Sequence, residues 1–312
     1  MQILLWSIVL GLALVALMRS AKVLVSASED TAKALGWSSL FVGVTIVALG
    51  TSLPELATSI WAAWTKNTSL VAANVVGSSI ANLLLILGGA GLLAKGLRLD
   101  SEEVQGQMGF VLLSTFLLLV TLYDGRFEWM EGLLMLAFFV SFILFNVKEH
   151  KEGRFSRLKN WLFQTELSKK LLSLLIGSAL AVAGASYLAI YAIEKLTTLT
   201  QILPSVIGVS VLAIGTSLPE LSTAWIAARK QNTELAIGTL LGSNVFNAGI
   251  VLAVPSFVRT LNVTSDILTL GIPFLLIATL LLLFALVQKK LSHYESFGYV
   301  LLYALFLFQL FL

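Results

Sequence analysis

The sequence predicts an all-α polytopic membrane protein: ten transmembrane helices forming two inverted-topology five-helix repeats, with broken helices at the centre. Three observations carry this expectation. The chain has 312 residues, of which 58% are hydrophobic and only 12% charged. Soluble domains carry about 25% charged residues, so a chain this apolar cannot cover a water-facing surface. Apolar runs of spanning length, about 20 residues, fall into two blocks around one polar stretch. Finally, the hexapeptide GTSLPE occurs twice, at 50–55 and 215–220.

The runs lie near 3–25, 37–63, 69–93, 104–122 and 128–147, then near 171–194, 203–228, 235–258, 264–287 and 296–312. In the first run the leading basic residue, Arg19, follows the apolar core instead of preceding it. A secretory signal has the opposite order, so the run reads as a membrane helix entering with its N-terminus outside. The halves are therefore 1–147 and 171–312, joined by a cytoplasmic loop at 148–170. Within that loop NWLF (160–163), with Phe155 and Leu158, fits either an amphipathic surface helix or an ordinary connector.

Charge supports this threading. With both termini outside, the inner connections hold fourteen Lys and Arg and the outer ones four, namely Lys66, Arg126, Lys195 and Arg259. Cytoplasmic loops collect such residues. The net charge is only +3 and the basic residues are dispersed, so nucleic acid is not an implied partner. The sequence contains no cysteine, which excludes disulfides, thiolate metal sites and cysteine nucleophiles. Within the spans there is no Ser/His arrangement, no paired catalytic Asp and no metalloprotease helix; the chain reads as no enzyme and needs no cofactor.

The two GTSLPE motifs belong to a longer repeat. Residues 43–82 align without a gap on 208–247 at an offset of 165, with nearly half the positions identical. Gly, Thr, Ser, Pro, Glu and Asn all match in register. Five spans per block is an odd number, so the second copy enters the membrane from the opposite side. Inverted repeats of this kind build secondary transporters, with the ion site where the repeats meet.

Pro54 and Pro219 lack an N–H and clash with the preceding turn, so each span is expected to break there and leave carbonyls free near Ala48 and Ala213. Thr51, Ser52 and Glu55, and their copies Thr216, Ser217 and Glu220, bring hydroxyls and carboxylates to the breaks. The next span of each half adds Ser78 and Asn82, or Ser243 and Asn247. Ser78 and Asn82 are four residues apart and share a helix face. Every donor is an oxygen, which suits hard cations such as Na⁺ and Ca²⁺; the two histidines, His150 and His293, fall in polar connections. Ser52-x-x-Glu55 also fits a helix-capping box. However, a charge at mid-membrane costs at least about 2.5–3.5 kcal/mol, which structure alone does not motivate twice. Glu29 and Glu194 also match at the offset, and their place near span ends reads as solvated termini. Asp100 and Asp124 read as loop residues.

Two GTSLPE copies followed by GSSIANLLLILG (77–88) and GSNVFNAGIVLA (242–253) resemble the α-repeats of the sodium/calcium exchangers, within the cation/calcium antiporter superfamily. The likeness covers the ten-span layout and points to a prokaryotic-type member of a prokaryotic cell membrane. It implies Na⁺ driving Ca²⁺ across the membrane by alternating access, with the first span of each half as a sliding pair. Glu55 and Glu220 would hold Ca²⁺ or Na⁺, further oxygens would come from Thr51, Ser52, Ser78, Thr216, Ser217 and Ser243, and Asn82 and Asn247 would line the centre. The chain departs from the family pattern in reading GSS where many members have GSN, so Ser79 replaces an amide. Asn247 stands where some members carry aspartate, which argues against K⁺ dependence and leaves two carboxylates to balance one Ca²⁺. The connecting loop is too short for the Ca²⁺-sensing domains of animal exchangers. A H⁺/Ca²⁺ antiporter is the alternative reading; that branch usually carries a different acidic motif.

Overall fold

The computed structural model describes residues 2–148, 166–200 and 217–310. Helix α1 (Gln2–Leu35) leads to a bent pair, α2 (Ser39–Thr51) and α3 (Leu53–Trp64), whose axes differ by 41°. Then come α4 (Ser69–Leu93), α5 (Glu102–Leu122) and α6 (Trp129–Lys148). The second half contributes α7 (Glu166–Thr200), α8 (Leu218–Arg229), α9 (Thr233–Ser256), α10 (Ile267–Val287) and α11 (His293–Leu310). Seven helices among the described residues are long and apolar enough to cross a membrane, or eight if the bent pair is one span. The expected span near 203–228 is described only from 217 onward, and most of the 148–170 loop, with NWLF, lies outside the described residues.

Burial sorts the helices into a centre and a ring. The most apolar windows of α4 and α9 are 83% and 89% buried, against 11% for α1. These two central helices occupy equivalent places in the two halves. Both contain a wider π-helical stretch, Ala81–Ile86 in α4 and Asn247–Val251 in α9. Such stretches recur at functional sites because the extra residue per turn re-aims the side chains that follow. A third, Gly43–Val47, precedes the break in α2.

Equivalent elements pair with each other. Helix α1 packs along α7, and Trp6 at the start of α1 meets Tyr191 near the end of α7 edge-on at 5.4 Å, so the two run antiparallel. Thr115 of α5 touches Thr279 of α10 at 3.0 Å, and these positions correspond at an offset that has shortened to 164. Two short antiparallel ribbons obey the same exchange: β1 (Leu97–Arg98) pairs with β4 (Lys290–Leu291), and β2 (Arg126–Phe127) with β3 (Leu261–Asn262). The first ribbon joins two connections expected inside, the second two expected outside.

Small residues set the close approaches. A Cβ on Gly91 would collide with the Ser296 hydroxyl, and one on Gly132 with the Ser256 hydroxyl. Position 91 corresponds to 256, and 132 to 296, so the two halves build the same contact with glycine and serine exchanged. Across the centre, α2 lies against α9 through Gly43, Gly238 and Gly242. A Cβ on Gly242 would stand 2.7 Å from the Ala48 Cβ and from the Val44 Cα. Glycines four apart allow this backbone contact between membrane helices.

The packing makes a prediction. Gly242→Ala has no flexible side chain to push aside and should lower stability by about 1–3 kcal/mol, as overpacking does. Gly109→Ala, with open space around its α-carbon, should cost nothing. Thermal unfolding of the two purified variants checks the difference.

Candidate cation site

The bend between α2 and α3 centres on Ser52, the residue before Leu53-Pro54. Pro54 cannot donate to the Gly50 carbonyl. The Ala48 carbonyl, expected to be free, is instead occupied: it accepts the Ser52 N–H at 3.0 Å and the Thr51 hydroxyl at 3.2 Å. The physical reason is that the chain stays helical through Thr51, so the break falls one turn later than the carbonyl it was expected to release. Ala213 and Thr216 lie outside the described residues.

Ser52 and Ser217 stand at the N-caps of α3 and α8, yet neither side chain caps its helix. The Ser52 hydroxyl instead lies 2.9 Å from Glu220 Oε1 and 3.0 Å from Ser243 Oγ. Ser243 also donates to Glu220 Oε1, at 3.3 Å. The capping-box spacing thus serves a contact between the halves. Glu55 and Glu220 sit in the first turns of α3 and α8, where the positive ends of the helix dipoles favour anions. Both are 1% exposed, and their carboxyl groups are near enough for their charges to act on each other.

Ser78 and Asn82 of α4 are fully buried. The Asn82 Nδ2 donates to Asn244 Oδ1 of α9 at 2.9 Å. The stretch beginning at Asn247 packs against α3, and the stretch carrying Asn82 packs against α8. The structure therefore brings Ser52, Glu55, Glu220 and Ser243 together and sets the two asparagines on the helices that flank them. Asn244 is the one member that sequence reasoning missed; its signal was an amide beside Ser243 in an apolar run.

Six buried oxygens here have no hydrogen-bond partner among the described residues: both of Glu55, Oε2 of Glu220, Ser217 Oγ, and Oδ1 of Asn82 and Asn247. Leaving a buried carboxylate unpaired costs several kcal/mol. An all-oxygen set with two carboxylates matches the chemistry of Na⁺ and Ca²⁺. Among the described residues no three His, Cys, Asp or Glu side chains come together, and the donors beside the two carboxylates are neutral hydroxyl and amide oxygens.

The surroundings are asymmetric. A cavity of about 850 Å³ runs along α3 from Pro54, beside Glu55, to Thr65 and Asn67, with Ala179–Ile190 of α7 as its far wall. The equivalent face of α8 is closed: Pro219, Ser222 and Thr223 are buried, and α1 packs on that helix. At the closed end Lys230 lies 3.0 Å from Glu29 and donates to Ser26 Oγ at 2.8 Å, while Asn232 donates to Glu29 at 3.2 Å. Glu29, expected as a solvated terminus, is thus partly buried and ties α1 to the α8–α9 turn. Thr65 holds the position equivalent to Lys230, so the ion pair has no copy in the other half.

Comparison with known proteins assigns the family. The family model described as "Sodium/calcium exchanger protein" matches residues 5–148 and 170–312. The chain belongs to the sodium/calcium exchanger family. It is 32% identical to the inner membrane protein YrbG of Escherichia coli (strain K12), over 80% of this chain and 78% of that protein. It is 28% identical to the sodium/calcium exchanger MaX1 of Methanosarcina acetivorans, over 97% and 98% of the two chains. Among solved structures it resembles the sodium-calcium exchanger NCX_Mj soaked with 100 mM Na⁺ and 10 mM Sr²⁺, with a TM-score of 0.86, 27% identity and 97% of each chain covered. A second NCX_Mj structure, soaked with 2.5 mM Na⁺ and 0.1 mM Ca²⁺, gives 0.85 at 27% identity, with 96% of this chain and 97% of that chain covered. The family is one of exchangers, and this member is an integral membrane protein.

The asymmetry is testable because the chain has no cysteine. Thr58→Cys, in the open groove, should react roughly ten-fold faster with a water-soluble thiol reagent than Thr223→Cys at the equivalent buried position, since reaction needs an accessible thiolate.

Proposed function

We propose that this protein is a secondary antiporter that exchanges Na⁺ for Ca²⁺ by alternating access, using Glu55 and Glu220 as the cation-binding carboxylates. The observation that carries the reading is a pair of fully buried carboxylates, one from each half, accompanied by buried oxygens of both halves that have no hydrogen-bond partner among the described residues. Thr51, Ser52, Ser78, Ser217, Ser243, Asn82 and Asn247 complete the site, and Ala213 and Thr216 join it through the sequence repeat. Ala48 contributes to the bend, its carbonyl being already twice bonded.

The architecture proposed for this activity is ten spans in two inverted halves, 1–147 and 171–312, with both termini outside in a prokaryotic cell membrane. The antiparallel α1–α7 pair, the exchanged ribbons and the two-segment family match support it. Relatives of comparable length are bacterial and archaeal. On this threading the groove along α3 opens outward and the Lys230–Glu29 contact closes the inner side.

The mechanism follows from charge. Two carboxylates in an apolar interior repel each other unless cations lie between them. A loaded site is neutralised and can pass from one access state to the other, while an empty one stays trapped. Exchange is thereby favoured over leak.

Uptake of ⁴⁵Ca²⁺ into liposomes containing the purified protein tests this. An outward Na⁺ gradient should drive uptake, and Glu55→Gln or Glu220→Gln should each reduce it to background. Uptake driven by a pH gradient alone would place the chain in a proton-coupled branch, and no Ca²⁺ movement under either gradient would reject Ca²⁺ as the substrate. A further outcome concerns acid. Protons compete with cations for the same oxygens, so Na⁺-driven uptake should fall as the pH drops through the titration of the two carboxylates. A flat profile would contradict their role.

A further inference from the structure

The two central asparagines are equivalent in sequence but not in restraint. Asn82 corresponds to Asn247, and Asn244 corresponds to Ser79, both at the offset of 165. The Asn82 amide is tied to Asn244 Oδ1 at 2.9 Å. The mirror-image contact would join Asn247 to Ser79, and it is not made. Both amide atoms of Asn247 and the Ser79 hydroxyl lack a hydrogen-bond partner among the described residues, although these residues are only 1% and 2% exposed. The two positions differ in side-chain length: a serine oxygen sits one covalent bond nearer the backbone than an asparagine Oδ1, roughly 1.2–1.5 Å.

The consequence is a difference in preorganisation. With its Nδ2 held by Asn244, Asn82 has Oδ1 fixed and unpaired, already set as an oxygen donor. No hydrogen bond to a described residue fixes the Asn247 amide, which leaves its oxygen available to a cation or its N–H groups to a neighbouring carboxylate. Holding a ligand in its bound geometry raises affinity by reducing the cost of ordering it.

We propose that Asn244 and Ser79 are positioning residues that set the affinity and the release rate of the central cation site: Asn244 by tethering the Asn82 amide, Ser79 by leaving the Asn247 amide untethered. Neither needs to touch the ion. The asymmetry gives the site one rigid amide ligand and one adaptable one, and the adaptable amide eases release. This inference rests on the cation-exchange reading above.

The test uses full-length protein in Na⁺-loaded liposomes, with KM and maximal rate of ⁴⁵Ca²⁺ uptake measured separately and thermal stability measured in parallel. Ser79→Asn supplies the missing tether and should lower KM roughly three- to ten-fold, the worth of one net hydrogen bond, while also lowering the maximal rate. Asn244→Ser removes the existing tether and should raise KM by a similar factor. The double variant S79N/N244S moves the tether to the other half and should return KM toward the wild-type value. A purely structural role would reduce stability without opposite shifts in KM or their cancellation. Unchanged KM in both single variants, or shifts in the same direction, would overturn the inference. If the larger side chain at 79 prevents folding, Asn244→Ser decides alone: a raised KM supports the tether, and an unchanged one rejects it. Wild-type protein that moves no Ca²⁺ would instead refute the exchange reading, so the two failures are distinguishable.

Discussion

Two buried carboxylates from different halves of one chain govern the rest of this structure. Glu55 and Glu220 are 1% exposed in an otherwise apolar interior, and neither is paired with a basic side chain among the described residues. A permanent Lys or Arg partner would neutralise the site at the cost of its exchangeability. Serine hydroxyls and amides supply polarity without fixed charge, which fits the proposal that a mobile cation completes the charge balance. The surrounding features serve this arrangement. The helix breaks bring two dipole ends to the carboxylates, and Asn82 and Asn247 lie in π-helical stretches packed against the helices that carry them. The glycines of α9 let the broken helix approach within backbone contact.

Much of this was legible in the sequence. The hydropathy pattern anticipated the apolar helices, seven or eight of them of spanning length among the described residues, and the gapless repeat supplied the residues proposed for the site. Two things were not legible. The spacing of Ser52 and Glu55 is the same for a helix cap and for a contact between halves, so only the position of Glu220 decides between them. Likewise, the Ala48 carbonyl was expected to be free because Pro54 lacks an N–H, but the effect of that missing donor falls at Gly50, and Ser52 closes the turn behind it. Local pattern sets where a break occurs, while tertiary contact sets which groups it exposes.

The open groove and its closed counterpart were also invisible, for a different reason. The repeat aligns Thr58 with Thr223 and Pro54 with Pro219, and nothing in those residues tells which face is covered. Asymmetry arises from how α1 and α7 lie against the two halves. It is reinforced where the repeat has diverged, as at Lys230 and Thr65. A near-symmetric repeat is thus packed asymmetrically, and differences at the rim favour the arrangement seen.

The exchanged glycine–serine contacts carry a consequence for the history of the chain. A protein assembled from two copies of the first half would place Gly91 against the equivalent of Gly132 and leave gaps at both junctions. One assembled from two copies of the second half would force Ser256 against the equivalent of Ser296 and clash at both. Each half has specialised to fit the other and no longer fits itself. Whatever symmetric ancestor the repeat implies, its descendants have become complementary parts that cannot be interchanged, and the chain is committed to carrying both.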